Sequence, residues 1–176
     1  MADRNKTQGL TLSKALAAGA VAGLAGGLAE VVFMGGYSSI TGINPSEILR
    51  LITFTFFDST VAFGPDGLWA GLLIHFALSL AIGLSFGLFA RYALKGSFSY
   101  SKALAWGSLA LTAIWAFNFF VILPVYNAAF IELVSPGAAF FSKLSFGVVL
   151  ALGVRFACSA NDSPVFMEAA SPTKSL

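Results

Sequence analysis

The sequence predicts an all-α, polytopic membrane protein in which four helices cross the bilayer. Hydrophobic residues make up 57% of the 176 residues, whereas charged residues make up only 10%. Soluble domains contain about 25% charged residues, so this chain has too little polar surface to cover a water-soluble fold of its size. The apolar residues also fall into four long runs, each close to the roughly 20 residues that cross a bilayer as a helix.

The four predicted spans are similar in length, but the loops between them are not. The spans cover about residues 12–36, 68–93, 103–123 and 137–158. A long loop joins the first two spans, and a shorter loop containing Pro124 and Pro136 joins the last two. We therefore expect one four-helix transmembrane domain, residues 12–158, between polar terminal segments at 1–11 and 159–176.

Basic residues predict the orientation of the spans. Most of them flank the start of the first span, the connection between the second and third spans, or the end of the fourth: Arg4, Lys6, Lys14, Arg91, Lys95, Lys102 and Arg155. The two opposite loops hold Arg50 alone among several acidic residues. Because lysine and arginine mark the cytoplasmic side of membrane proteins, both termini are predicted to be cytoplasmic.

A short repeat links the first and third spans. Ser-Lys-Ala-Leu-Ala occurs at residues 13–17 and again at 101–105. In each copy a polar residue follows 17 positions after the serine, Glu30 in the first and Asn118 in the second. The match is either a chance similarity between common residue types or the trace of two duplicated helical hairpins in the same orientation.

The long loop contains a predicted helix at about residues 45–57. Asn44 is a good capping residue, Pro45 suits the first helical position, and Glu47 lies three residues after the cap. The segment is too short and too polar to span the bilayer, so we expect an interfacial helix on the outer leaflet. It either covers the bundle or docks a partner through its aromatic residues. These residues are Phe54, Phe56, Phe57 and Phe63.

Small residues recur at every fourth position in the first two spans. The two small-residue stripes consist of Gly19, Gly23 and Gly27 in the first span, and Ser79, Gly83 and Gly87 in the second. Residues four apart share a helix face, and small side chains let membrane helices approach closely. The stripes are predicted to pack helices within the chain or against another subunit, with internal packing favoured for at least one of them.

Each span also carries one polar residue at a similar depth, and we call these four residues the polar layer. Glu30, His75, Asn118 and Lys143 lie six or seven residues from the outer ends of their spans, which is about 9–11 Å at the helical rise. Because an isolated charge in hydrocarbon is costly, Glu30 and Lys143 are predicted to pair, with His75 and Asn118 completing a hydrogen-bonded network. The layer is a structural clasp, a proton- or ion-handling site, or a coincidence in which Lys143 extends outward.

Patterns that carry catalysis or bind a cofactor are absent from the sequence. It contains one histidine and one cysteine, and it has no nucleophile elbow, phosphate-binding glycine loop or metal-ligand spacing. We therefore expect no enzyme activity, no metal site and no cofactor. The net charge of +2 is too small to indicate nucleic-acid binding.

One loose pattern runs through the spans. Its parts are the segment Gly26-Gly27-Leu28-Ala29-Glu30, His75, and an aromatic-rich segment at 116–124 that ends in Pro124. In this plan the chain resembles uncharacterised four-helix inner-membrane proteins of bacteria. The resemblance covers about two thirds of the chain and implies a bacterial-type inner (plasma) membrane, but it carries no established activity.

These features favour an integral membrane accessory, structural or assembly subunit of a larger membrane protein complex. The expected partners are lipid and other membrane subunits or a second copy of the chain. The alternative is a small oligomeric channel or carrier that uses the polar layer for a proton, an ion or a small solute. An oligomer would be needed for a pore because four helices enclose little space.

Overall fold

The computed structural model describes residues 10–95 and 99–159, and within these ranges it contains helices and no strand. In chain order the helices are α1 (Leu12–Thr41), α2 (Pro45–Phe54), α3 (Ser59–Phe63), α4 (Gly67–Tyr92), α5 (Tyr100–Phe117), α6 (Leu123–Tyr126), α7 (Ala128–Leu133) and α8 (Pro136–Ser159). A π-helical turn, Asn118–Ile122, joins α5 to α6 into one long helix. Four helices are long and apolar enough to cross a membrane, so the predicted all-α, polytopic fold is confirmed.

Helix α1 and the third span both continue beyond their predicted ends, the third span as far as Tyr126. Helix α1 does not stop at Gly36 but runs to Thr41, and Gly42 ends it in the left-handed conformation at a φ of 76°. The predicted outer helix is shorter than expected and ends at Phe54. The predicted terminal segments 1–11 and 159–176 lie mostly outside the described residues.

Pro124 does not end the third span, because a π turn precedes it. Proline lacks a backbone N–H and collides with the carbonyl four residues earlier in a regular α-helix. Here the amide of Leu123 donates instead to the main-chain oxygen of Asn118, five residues back. This wider turn lets the helix continue past the proline.

The four long helices pack in a row rather than in a closed ring. Helix α1 packs against α4 and α8, and α8 packs against α5. Over the described ranges α4 and α5 barely contact one another, although the rings of Phe89 and Trp106 meet with their centroids 5.3 Å apart. The hairpins α1/α4 and α5/α8 are each well packed, but the extensive α1–α8 contact has no counterpart between α5 and α4.

The bundle is tightly packed at the end that carries Arg91 and Arg155, which we call the basic end. Large apolar side chains of α5 and α8 are fully buried between the middle of these helices and the basic end: Leu111, Phe146, Leu150 and Val154. The opposite end, which carries α2, α3 and α7, is called the loop end. Towards this end a cavity lies among the four long helices.

The two small-residue stripes pack against each other within the chain. A Cβ atom built on Gly19 would lie 2.3 Å from the main-chain oxygen of Gly83. One built on Gly23 would lie 2.5 Å from the oxygen of Ser79, and one on Gly87 would lie 3.1 Å from the Gly19 Cα. These distances leave no room for a side chain, so the backbones of α1 and α4 touch as the spacing predicts.

Buried hydrogen bonds fix α2 over the loop end. Thr53 Oγ1 donates to the main-chain oxygen of Gly67 at 2.6 Å. Arg50 donates to two main-chain oxygens near the end of α3, at 3.1 and 2.7 Å. From the other side, Asn127 Nδ2 donates to the oxygen of Leu51 at 2.6 Å. Helix α2 is therefore attached to the bundle as a cover.

Candidate functional site

A cavity of about 560 Å³ lies between α4 and α5 towards the loop end. All four long helices contribute to its walls, and α2 and α7 border it. Its volume falls within the roughly 300–1,000 Å³ of small-molecule sites. The four residues of the polar layer all line this cavity: Glu30, His75, Asn118 and Lys143. The structure therefore brings the predicted residues to one place.

The predicted ion pair between Glu30 and Lys143 is confirmed. Lys143 Nζ donates to Glu30 Oε1 at 2.5 Å, and Ser142 Oγ donates to the same oxygen at 3.3 Å. Glu30 is buried, with 9% of its surface exposed. Small residues make the approach possible, since a Cβ on Gly26 would lie 2.9 Å from the ring of Phe146 on α8. The pair places two compensating charges in an apolar wall.

His75 contacts the backbone of α1 rather than the ion pair. Its Nε2 lies 3.0 Å from the main-chain oxygen of Gly27. A carbonyl oxygen only accepts, so Nε2 donates this hydrogen bond. A Cβ on Gly27 would lie 2.4 Å from Ser79 Oγ and 3.4 Å from His75 Nε2. The glycine therefore makes room for the imidazole.

The predicted four-residue network needs a correction. In residues 10–95 and 99–159, no hydrogen bond joins His75 or the Asn118 side chain to Glu30 or Lys143. Asn118 is half-buried and begins the π turn. Counting residues from the end of each span predicts how deep a side chain lies in the membrane. Whether two side chains at the same depth touch depends also on how each helix is rotated about its axis, and the residue count carries no information on that rotation. The layer is a set of separate polar groups around one cavity.

Three further polar atoms at the cavity have no hydrogen-bond partner within the described part of the chain. They are Glu30 Oε2, Ser38 Oγ and Trp115 Nε1, and each is buried. About 90% or more of buried polar groups in proteins are satisfied, so unpaired ones call for an explanation. The sequence reasoning missed Ser38 and Trp115. Helical spacing could have found them, because Ser38 follows Glu30 by two turns and Trp115 precedes Asn118 by one.

The four phenylalanines of the long loop do not form a single cluster. The rings of Phe54 and Phe63 are in contact, with centroids 6.0 Å apart. Phe56, Phe57 and Phe63 are each more than half exposed, and Phe56 also borders the cavity. These residues give the loop end an aromatic surface.

The chain matches no protein-family model, and comparisons with curated proteins and with solved structures likewise find no match. The chemistry of the site is therefore inferred from its own residues. Mostly apolar walls with a few convergent hydrogen-bonding groups are typical of a ligand-binding cavity. Towards the basic end the cavity gives way to the packed side chains around Leu111 and Phe146.

Proposed function

We propose that this protein binds a small amphiphilic molecule within the membrane and acts as a binding or carrier protein without catalytic activity. The observation that carries the proposal is the cavity between α4 and α5, where apolar walls surround a few buried polar groups. An ion channel is less well supported, because Lys143 already balances the charge of Glu30. Within the described residues, apolar side chains from all four long helices also fill the core towards the basic end.

In the proposed orientation the basic end faces the cytoplasm of a bacterial-type inner membrane, and both termini are cytoplasmic. The distribution of lysine and arginine supports this arrangement. The cavity then lies in the outer half of the bilayer, beneath the cover formed by α2 and α7.

The proposed entry route runs from the lipid through the gap between α4 and α5. Over the described residues these two helices share few contacts, whereas the other neighbouring helices of the row are packed together. Leu78 of α4 lines the cavity and is 47% exposed. An amphiphile could pass this side chain without crossing the covered loop end.

Filling the cavity tests the proposal. Gly35 lines the cavity, and a Cβ built on it meets no atom within 4 Å, so Gly35→Phe has room to project there. Gly36→Phe is the matched control, because a Cβ at Gly36 is equally unhindered but the residue does not line the cavity. The experiment is native mass spectrometry of each protein released from nanodiscs made with bacterial lipid.

We expect a bound amphiphile on the wild type and on Gly36→Phe, and its loss from Gly35→Phe. Equal amounts of bound lipid on all three proteins would contradict the proposal, because such binding would not depend on the cavity. Thermal unfolding of the three proteins provides the check that Gly35→Phe is folded.

A second candidate function is that of an accessory subunit in a larger membrane complex. The exposed side chains of Phe57 and Phe63 favour it, since aromatic residues are enriched at protein interfaces. The test is purification in a mild detergent. Subunits that co-purify with the wild type and with Tyr92→Ser at the basic end, but not with Phe57→Ser/Phe63→Ser, would support this function. Unchanged co-purification with the double variant would count against this surface.

A further inference from the structure

We infer that the ligand of the cavity carries an uncharged head group with a hydroxyl, as a long-chain alcohol does. This inference rests on the proposed function, because it names the ligand class for the same cavity. It is argued from the three unpaired polar atoms of Glu30, Ser38 and Trp115, and from the charge balance around Glu30.

The apolar walls of the cavity cannot by themselves select a ligand from the membrane. A hydrocarbon chain that leaves lipid for an apolar cavity exchanges one apolar environment for another, so little hydrophobic free energy is gained. Selection must therefore come from the polar atoms. In hydrocarbon an unsatisfied polar group is costly, which makes each of these atoms a strong determinant of what binds.

The unpaired atoms require both a donor and an acceptor from the ligand. Oε2 of Glu30 is a carboxylate oxygen, which accepts, whereas Oε1 already receives Lys143 and Ser142. Nε1 of Trp115 can only donate. The hydroxyl of Ser38, which is 3% exposed, can do either. A group that both donates and accepts hydrogen bonds offers the kind of partner that each of these two atoms lacks.

The charges at the cavity exclude a charged head group. Glu30 and Lys143 compensate one another at 2.5 Å. An additional anion or cation would bring an uncompensated charge into a low-dielectric site, which is strongly unfavourable. A hydroxyl is the smallest neutral group that both donates and accepts a hydrogen bond. The cavity is therefore suited to an alcohol-headed amphiphile taken up from the lipid.

Photolabelling with a matched set of probes tests this inference. The probes are a hexadecanol that carries a diazirine in its chain, the methyl ether of the same compound, and the corresponding hexadecanoate. The ether keeps the acceptor but lacks the donor, and the hexadecanoate carries a charge. Each probe is titrated into nanodiscs that contain the full-length protein, and labelled peptides are identified by mass spectrometry.

We expect the alcohol to label cavity residues at lower concentrations than the ether, by about tenfold, because the bond to the carboxylate is charge-assisted. Trp115→Phe keeps an aromatic side chain but removes Nε1, and it should weaken labelling by the alcohol about fivefold. Trp106→Phe is the control, because Trp106 does not line the cavity. It should leave labelling unchanged.

Equal labelling by the alcohol and the ether, or stronger labelling by the hexadecanoate, would overturn the inference. Gly35→Phe separates this failure from failure of the proposed function. If the three probes label the wild type equally well and Gly35→Phe abolishes labelling by all of them, the cavity binds amphiphiles and only the preference for a hydroxyl is wrong. If Gly35→Phe has no effect on any probe, both proposals are wrong.

Discussion

His75 on α4 donates a hydrogen bond from Nε2 to the main-chain oxygen of Gly27 on α1, 3.0 Å away. Gly27 belongs to the small-residue stripe of α1, and His75 lines the cavity. The close approach of the two backbones and the position of the imidazole therefore depend on the same glycine. Helix packing and the geometry of the cavity are coupled at this contact.

The first prediction concerns the small-residue stripe. Gly23→Leu should prevent α1 from packing on α4, because even a Cβ at this position would lie 2.5 Å from the Ser79 oxygen. Overpacking typically lowers the free energy of unfolding by about 1–3 kcal/mol. Gly23→Leu should reach or exceed the upper end of this range, because the new side chain would collide with backbone, which cannot move aside as a flexible side chain can. The measurement is thermal unfolding in detergent together with the yield of folded protein.

Gly36→Ala is the control for this prediction. A Cβ at Gly36 meets no atom within 4 Å, and replacing a helical glycine by alanine is favourable by about 0.5–1 kcal/mol. We expect an equal or higher unfolding temperature for Gly36→Ala. A Gly23→Leu protein as stable as the wild type would show that α1 and α4 do not need this contact.

The second prediction concerns the ion pair of Glu30 and Lys143. Lys143→Met should destabilise the protein by about 3–5 kcal/mol, because it leaves the buried Glu30 carboxylate without its partner. Glu30→Gln should destabilise it less, because 23% of the Lys143 side chain is exposed. The double variant should recover much of this loss, with a coupling free energy of about 0.5–3 kcal/mol or more. The measurement is a double-mutant cycle, in which the free energy of unfolding is determined for the wild type, the two single variants and the double variant.

Glu47→Gln provides the control, because Glu47 is exposed on α2 and makes no ion pair within the described residues. Its effect should be within about 0.5 kcal/mol. Strictly additive effects of Glu30→Gln and Lys143→Met would contradict the clasp that the sequence predicts.

Composition and local patterns were sufficient to predict the parts of this fold that depend on single helices. Four apolar runs predicted the spanning helices, and the spacing of Gly19, Gly23 and Gly27 predicted a contact face. The depth of Glu30 and Lys143 predicted their pairing, because two opposite charges at one depth in hydrocarbon have few other partners.

Features that depend on several helices together could not be predicted in the same way. The cavity has walls from all four long helices and from α2, and no pattern within a single helix encodes how these elements are arranged. The Gly35-Gly36 pair resembles a helix end, yet nothing crowds it and α1 continues to Thr41. The role of Asn127 was also missed, because its hydrogen bond to Leu51 joins α2 to the segment between α6 and α7, which is distant in sequence.

The third prediction concerns orientation. In a Cys158→Ala background, single cysteines at Ser39 or Ala128 should react with a membrane-impermeant maleimide added outside intact cells. Both residues are exposed near the loop end. A cysteine at Ser101, exposed near the basic end, should react only after the membrane is permeabilised. The opposite pattern of labelling would reverse the proposed topology. Ser97, which lies in the same basic connection between the second and third spans, is outside the described residues.

The fourth prediction concerns Pro124 and the π turn that begins at Asn118. Pro124→Ala restores a backbone N–H, so the segment Asn118–Ile122 can relax to an α-helix. A change from the wider π turn to a regular α-helical turn would rotate Trp115 relative to Tyr126 by about 100°. Both residues line the cavity. We expect the free energy of unfolding to be equal or up to about 3 kcal/mol higher, while photolabelling of the cavity by the alcohol probe falls.

Pro136→Ala is the control, because proline at the start of α8 interrupts no helical hydrogen bond. It should change neither the free energy of unfolding nor the labelling. Undiminished labelling of a stabilised Pro124→Ala protein would mean that the cavity does not depend on the π turn.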